Sequence, residues 1–220
     1  MTGSLLLAIA ALLCTATPAA ADGVVRGVVE VKRPTNIAAS TVLVYAVGFT
    51  EPAAKASVTV KQVDKRFLPD LVAVTAGGTV SFPNGDPFLH NVFSPTSDRA
   101  FDVGSYKQGA SRSRSFPKPG VVEIYCNIHP EMSATLVVLP NTRFALADVT
   151  GRFELALPPG TWSVFAYSRR ADRPTSVRVT VVEGSTVETA LKLDEVPREF
   201  KHRNKFGEEY RETTIYRPGA

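Results

Sequence analysis

Cys126, His129 and Met132 follow one another at intervals of three in the segment Cys126-Asn127-Ile128-His129-Pro130-Glu131-Met132, and His90 opens the upstream segment His90-Asn91-Val92-Phe93-Ser94. Together they offer one thiolate, two imidazoles and one thioether. Two imidazoles and a thiolate in a plane, with a long, weak axial thioether, are the donors of copper electron-transfer centres. Soft sulfur suits Cu(I) and imidazole suits both oxidation states, so such a set changes little when an electron passes. Three donors on one tight loop can converge on one ion. The fourth, His90, must then arrive from a strand end beside that loop. Pro130 fixes its own φ and stiffens the link between His129 and Met132. Zinc is the rival metal, but a thioether is a poor zinc ligand.

Residue counts sharpen this reading. The chain has two cysteines, Cys14 and Cys126. Leu5 to Leu13 is an apolar run as long as a signal-peptide core, and Ala19-Ala20-Ala21 is a small-residue cleavage site. Residues 1–21 are therefore expected to be a signal peptide, although Met1-Thr2-Gly3-Ser4 lacks the usual Lys or Arg. Bulky Leu13 argues against a lipid on Cys14. An exported chain would keep Cys126 alone, with no disulfide partner within itself, in a compartment where free thiols are a liability. It would be buried and inert, paired with another chain, or held by a metal. His129 and Met132 beside it favour the metal. The histidines are His90, His129 and His202, too few for a trinuclear oxygen-reducing copper cluster. No nucleophile elbow, phosphate-cradling glycine loop or zinc-peptidase motif appears. Glu131 has no visible acid or base partner and reads as a solvated carboxylate. The formal charge of +4 is mild and interleaved, so no nucleic-acid partner is expected.

The elements that must position these donors read as β throughout. Strands are expected over Val24–Val31, Thr41–Val47, Ser57–Val63, Leu71–Val74, Thr79–Phe82, Val121–Tyr125 and Ala134–Leu139. Four more follow over Arg152–Leu157, Thr161–Tyr167, Ser176–Val182 and Thr186–Leu193. Gly, Pro, Asn and Asp clusters such as Pro83-Asn84-Gly85-Asp86-Pro87 and Pro158-Pro159-Gly160 punctuate them. Short strands at this spacing predict sandwiches or barrels. The strand Val121–Tyr125 would deliver Cys126 straight into the ligand loop. Residues 194–220 are crowded with charges of both signs and read as a solvated tail, with Phe200, Phe206, Tyr210 and Tyr216 as candidate anchors.

Two resemblances follow from these motifs. Phe67-x-Pro69, Val74-x-x-Gly77, Val80-x-Phe82-x-Asn84-x-Asp86 and His90-Asn91-Val92-Phe93, with Gly120-x-x-x-x-Tyr125-Cys126-x-x-His129-x-x-Met132, resemble a cupredoxin of the plastocyanin and amicyanin type. The short Cys-x-x-His-x-x-Met loop is similar to that of amicyanin. This resemblance implies a Greek-key β-sandwich over residues 51–140 and one type 1 copper held by His90, Cys126, His129 and Met132. It also implies a supporting role for Asn91 beside the loop. Asp148-x-x-Gly151-x-Phe153-x-Leu155 and Pro158-Pro159-Gly160-Thr161-Trp162, with the opening Gly23-Val24-Val25-Arg26-Gly27-Val28-Val29, resemble a carboxypeptidase regulatory-like domain, a small transthyretin-like β-sandwich. That domain would comprise residues 23–50 and 141–193, with the cupredoxin inserted into it; a tandem is the alternative. Trp162 and Phe165 are expected in its core.

The chain is therefore expected to be all-β, periplasmic or secreted, and not an enzyme. It would carry single electrons between redox protein partners, with no membrane span once the signal is removed. The alternative is a copper-delivery or envelope scaffolding protein. A purely structural module is disfavoured because all four donors are present.

Overall fold

The computed structural model describes residues 21–52 and 56–210. Apart from Ala21, the expected signal peptide lies outside the described residues, as does Tyr216. Among the described residues seventeen strands run in chain order: β1 (Gly23–Lys32), β2 (Leu43–Val47), β3 (Ser57–Thr59), β4 (Lys61–Val63), β5 (Arg66–Leu68), β6 (Leu71–Thr75), β7 (Thr79–Pro83), β8 (His90–Ser94), β9 (Phe101–Tyr106), β10 (Ser111–Ser115), β11 (Gly120–Tyr125), β12 (Ser133–Leu139), β13 (Phe144–Leu146), β14 (Arg152–Leu157), β15 (Gly160–Tyr167), β16 (Thr175–Val181) and β17 (Thr186–Asp194). The protein is all-β. Among the described residues no helix is long and apolar enough to cross a membrane.

Period-two patterning explains most of these strands. In β14, Phe153, Leu155 and Leu157 turn inward while Arg152, Glu154 and Ala156 face water, the alternation of a half-buried strand. Strand β1 is flanked by β14, antiparallel, and β17, parallel. A second sheet runs β13-β2-β15-β16. These two sheets enclose a core that includes Val25, Val44, Phe153, Leu155, Leu157, Val164 and Leu193. The first two strands thus pair with strands from the last third of the chain, and β3 to β12 lie between them in sequence.

That intervening segment forms a five-stranded sheet, β6-β12-β11-β8-β9, a three-stranded sheet, β10-β7-β3, and the β4–β5 hairpin. Its core gathers Phe67, Val80, Phe82, Val92, Val122, Ile124, Leu136 and Val138, with Cys126 and Met132 among them. Every residue of β12 is buried. Ala134, Leu136 and Val138 face this core. Val137 and Leu139 face the other way, joining Leu43 and Leu71 in a third cluster. A strand covered on both faces reads as a continuous apolar run, and each such Leu or Val contributes about 1.5–3 kcal/mol on burial. The third cluster therefore joins the β13-β2-β15-β16 sheet to the segment that carries the candidate ligands.

Two turns show why their motifs have the residues they do. Asp148 Oδ1 accepts hydrogen bonds from the amides of Thr150 and Arg152 at 2.8 and 3.0 Å. Gly151 in that turn has φ +82°, and a Cβ there would come within 2.3 Å of Val29 O. At Gly160 (φ +149°) a Cβ would meet the Trp162 ring at 2.3 Å, while the indole N–H donates to Pro158 O at 2.7 Å. Trp162 is only partly buried, against Phe49, and Phe165 stacks on Tyr45, also partly buried. Both are less enclosed than the core placement expected of them.

Several elements depart from the sequence reading. The expected strand over Ser57–Val63 is split into β3 and β4, which join different sheets. Strands β5, β8, β9, β10 and β13 carry too short or too mixed a pattern to be read; every residue of β10 is exposed. The C-terminal tail is also more engaged than a solvated segment. Glu195 is buried and accepts a hydrogen bond from Ser168 Oγ, and Phe200 lies 4.1 Å beneath the Arg169 guanidinium. Phe206 anchors nothing: it is 74 % exposed.

Candidate metal centre

Strand β11 ends at Tyr125, so Cys126 enters the loop directly, wholly buried. The loop closes on itself through two backbone hydrogen bonds. Cys126 N–H donates to Met132 O at 3.0 Å, and Met132 N–H donates to His129 O at 3.1 Å. His129 is thereby turned back towards Cys126, and Met132 is set at the far end of the loop, buried in the same core as Cys126.

His90 is the first residue of β8, a neighbour of β11 in the five-stranded sheet, and is fully buried. Its Nε2–H donates to Asp86 Oδ2 at 2.7 Å. An ionised carboxylate only accepts, so Nε2 carries the proton of the neutral ring, and Nδ1, which faces Cys126 Sγ, is the nitrogen that can take a second proton or a metal. Asp86 is itself held by the amides of Asp64 and Lys65, at 2.7 and 3.0 Å. Both residues adopt left-handed conformations in the β4–β5 hairpin. Asn84 ties the same turn down, donating to Phe88 O and Tyr106 O and accepting from Asp86 N–H.

Three donor atoms then converge. His90 Nδ1 and His129 Nδ1 each lie 3.6 Å from Cys126 Sγ, and all three lie within 4.8 Å of one another. A first-row ion about 2.0–2.3 Å from nitrogen and sulfur donors spans N···S separations of roughly 3.5–3.8 Å at trigonal to tetrahedral angles. The two N···S separations of 3.6 Å fit such an ion, and the single thiol with two imidazoles is a set suited to copper.

Electrostatics agree with the geometry. Burial alone would raise the Cys126 thiol, but the hydrogen bond with His90 and the backbone amides of Asn91, Ile128 and His129 outweigh it and hold the group below its ordinary value. Burial likewise opposes protonation of His90, yet Cys126 and Asp86 together lift it above the usual imidazole range. Burial and the neighbouring His90 both lower His129. The pocket therefore shifts Cys126 towards the thiolate, the form that binds metals.

The remaining expected residue, Asn91, reaches the loop as a support. Its Oδ1 accepts from Asn127 N–H at 3.4 Å, a long contact, and its Nδ2 donates to Asp102 Oδ1 at 2.6 Å. One edge of the site faces outward. His129 is part-exposed, its ring 5.4 Å from that of exposed Phe88, and its chain neighbour Ile128 is exposed as well.

Arg169, His202 and Lys205 also bear on the site and carried no role in the sequence reading; Asp86 appeared there only within a motif, and Tyr210, expected only as a tail anchor, reaches the ligand loop. Asp86 had a usable signal, four residues before His90 inside a Pro-Asn-Gly-Asp-Pro turn. The others are distant in sequence and had none. The Arg169 guanidinium donates to Ser133 O and Oγ, to Thr135 Oγ and to Asp70, bracing β12 where it leaves Met132.

No protein-family model matches the chain, and no characterised protein matches its sequence. Among solved structures, a reduced amicyanin variant is similar at 24 % identity and a TM-score of 0.36, covering 39 % of this chain and 85 % of the amicyanin. A second reduced amicyanin variant has 22 % identity and a TM-score of 0.36, covering 43 % and 97 %. A copper-containing nitrite reductase from Thermus scotoductus has 27 % identity and the same TM-score, with this chain matching a quarter of that enzyme and 42 % of itself aligned. These likenesses cover about two fifths of the chain; the chemistry of the site rests on its own side chains.

Proposed function

We propose that this protein is an exported, cupredoxin-type electron carrier with one type 1 copper per chain. Cys126 would hold the ion as thiolate, His90 and His129 through Nδ1, and Met132 as the weak axial donor. The observation that carries the reading is the convergence of the one cysteine of the expected mature chain on two imidazole nitrogens, each 3.6 Å from its sulfur. Bound copper would supply a one-electron Cu(I)/Cu(II) couple.

The chain's own residues do the rest. Asp86 fixes the tautomer and orientation of His90, the role an outer partner commonly takes at metal-bound imidazoles. The two backbone bonds inside the loop hold Cys126, His129 and Met132 in one arrangement, so little has to move when charge changes. Burial of Cys126 and His90 keeps bulk water from the sulfur. Exposed Phe88, whose ring lies beside that of His129, and exposed Ile128, next to it in the chain, offer apolar surface on which a redox protein partner could settle. In the same reading, residues 51–140 form a unit inserted into a regulatory-like β-sandwich built from residues 23–50 and 141–193.

Titration of the metal-free protein with Cu(II) tests this. An intense blue colour from thiolate-to-copper charge transfer and a reversible one-electron wave are expected. A colourless complex would refute it. A blue protein that yields its copper at once to a chelator and shows no reversible wave would favour copper delivery instead.

A further inference from the structure

The ligand loop makes two backbone bonds of its own, one of which already ends on His129 O, but the carbonyls of Cys126 and Pro130, a second acceptor position on His129 O and the side chain of Asn127 are left to partners outside the loop. The C-terminal segment meets all four. Tyr210 Oη donates to Cys126 O at 2.8 Å. Lys205 N–H donates to Asn127 Oδ1 at 2.8 Å. His202 N–H donates to Pro130 O at 3.3 Å, and His202 Nε2 lies 3.3 Å from His129 O. The His202 ring also stacks on Tyr125, the residue before Cys126, with centroids 4.3 Å apart and planes at 22°.

The segment is itself anchored. Lys205 Nζ donates to Asp102 Oδ2 at 2.6 Å, and Asp102 Oδ1 is the acceptor for Asn91, so one carboxylate ties the tail to the residue that supports the loop. Asn204 Oδ1 accepts from the amides of Phe206 and Glu208, folding the segment into a turn. A tail merely resting on the surface would scatter its polar contacts. Here they concentrate on Cys126 and His129, two of the candidate ligands, and on the residues next to them.

We propose that residues 201–210 are a strap that holds the ligand loop in its metal-binding geometry, with His202 and Tyr210 as positioning residues. The inference rests on the copper reading for its purpose but not for its test. With the strap in place the donors are arranged before metal arrives, and releasing the metal requires the strap to lift. Without it the outer carbonyls turn to water and the loop opens more often.

The test uses the full-length mature protein, a chain ending at Phe200 (which keeps Glu195 and Phe200 docked), and the point variants Tyr210→Phe, His202→Ala and His202→Phe. Amide exchange of Asn127, Ile128, His129, Glu131 and Met132 is measured on metal-free samples, and copper loss to a Cu(I) chelator on loaded ones. The shortened chain should exchange these amides, and lose copper, about tenfold or more faster, as expected when several hydrogen bonds of a local unit are removed. His202→Ala should fall between it and the parent, with His202→Phe, which keeps the stack on Tyr125, closer to the parent. Exchange within twofold of the parent in Tyr210→Phe and His202→Ala, with β-sheet exchange unchanged, overturns the strap whether or not the shortened chain folds. If the parent binds no copper, the electron-carrier reading falls, and the exchange measurements on metal-free protein still decide the strap.

Discussion

Asp86→Asn changes one oxygen to an amino group and nothing in shape, so its effect isolates the hydrogen-bond logic beneath His90. The carboxylate accepts three donors: Asp64 N–H on Oδ1 at 2.7 Å, and Lys65 N–H and His90 Nε2–H on Oδ2 at 3.0 and 2.7 Å. Its side chain is 7 % exposed, so water cannot replace a lost partner. An asparagine has one acceptor. Its best orientation keeps oxygen towards Lys65 and His90 and turns NH₂ against Asp64 N–H, losing one charge-assisted bond and weakening two. With about 1.5–3 kcal/mol for a hydrogen bond to a charged group and roughly half that strength for a neutral one, the loss comes to about 3–6 kcal/mol. Urea denaturation of the metal-free protein at pH 7 should show this as a lower midpoint at unchanged slope. Nitrogen NMR should also show the His90 proton no longer confined to Nε2. A change below about 0.5 kcal/mol with the tautomer unmoved would refute the claim that Asp86 holds this ring.

Three further outcomes are expected. Arg169→Met removes donors from Ser133 O, Ser133 Oγ and Thr135 Oγ, all buried; the half-exposed Asp70 adds little. It should cost about 2–4 kcal/mol by thermal or urea unfolding, and a loss below about 1 kcal/mol would show that β12 does not depend on it. Burial pulls the Glu51 carboxyl upward, but hydrogen bonds from Thr142 and Arg143 outweigh it and hold the group below its ordinary 4.5. With the folded value depressed, its stabilisation is complete above about 4.5 and is lost as pH falls through the folded value. Glu51→Gln should therefore destabilise by about 1–2 kcal/mol at pH 7, with the gap to the parent closing on acidification; a gap independent of pH would contradict this. Gly151→Ala forces a side chain into a left-handed conformation and against Val29 O, and should lower stability by about 2 kcal/mol or more; a neutral result would mean that turn relaxes freely.

Much of this protein is determined locally and could be read from the chain alone. The intervals separating Cys126, His129 and Met132 belong to one short loop, where covalent geometry limits how far the donors can separate. Long strands with one dry face, such as β14, announce themselves by alternation, because a side chain every second residue must leave water. The Asp148 and Gly160 turns are legible for a similar reason: each depends on a few adjacent residues and one backbone conformation.

Tertiary structure decided the rest, and the physical reason is that the deciding contacts join residues far apart in sequence. Strand β10 is exposed along its whole length and exists through its ladder to β7, a partner its own residues do not signal. Which donors meet was decided when β8 came beside β11 and placed His90 Nδ1 against Cys126 Sγ. Which nitrogen of His90 faces the sulfur was decided by Asp86, itself fixed by a hairpin about twenty residues away. Composition marks residues 194–220 as too polar to build a core, and those among the described residues, 194–210, build none. A polar segment can still order itself where a folded surface presents open acceptor positions, and here that surface is the outer edge of the ligand loop.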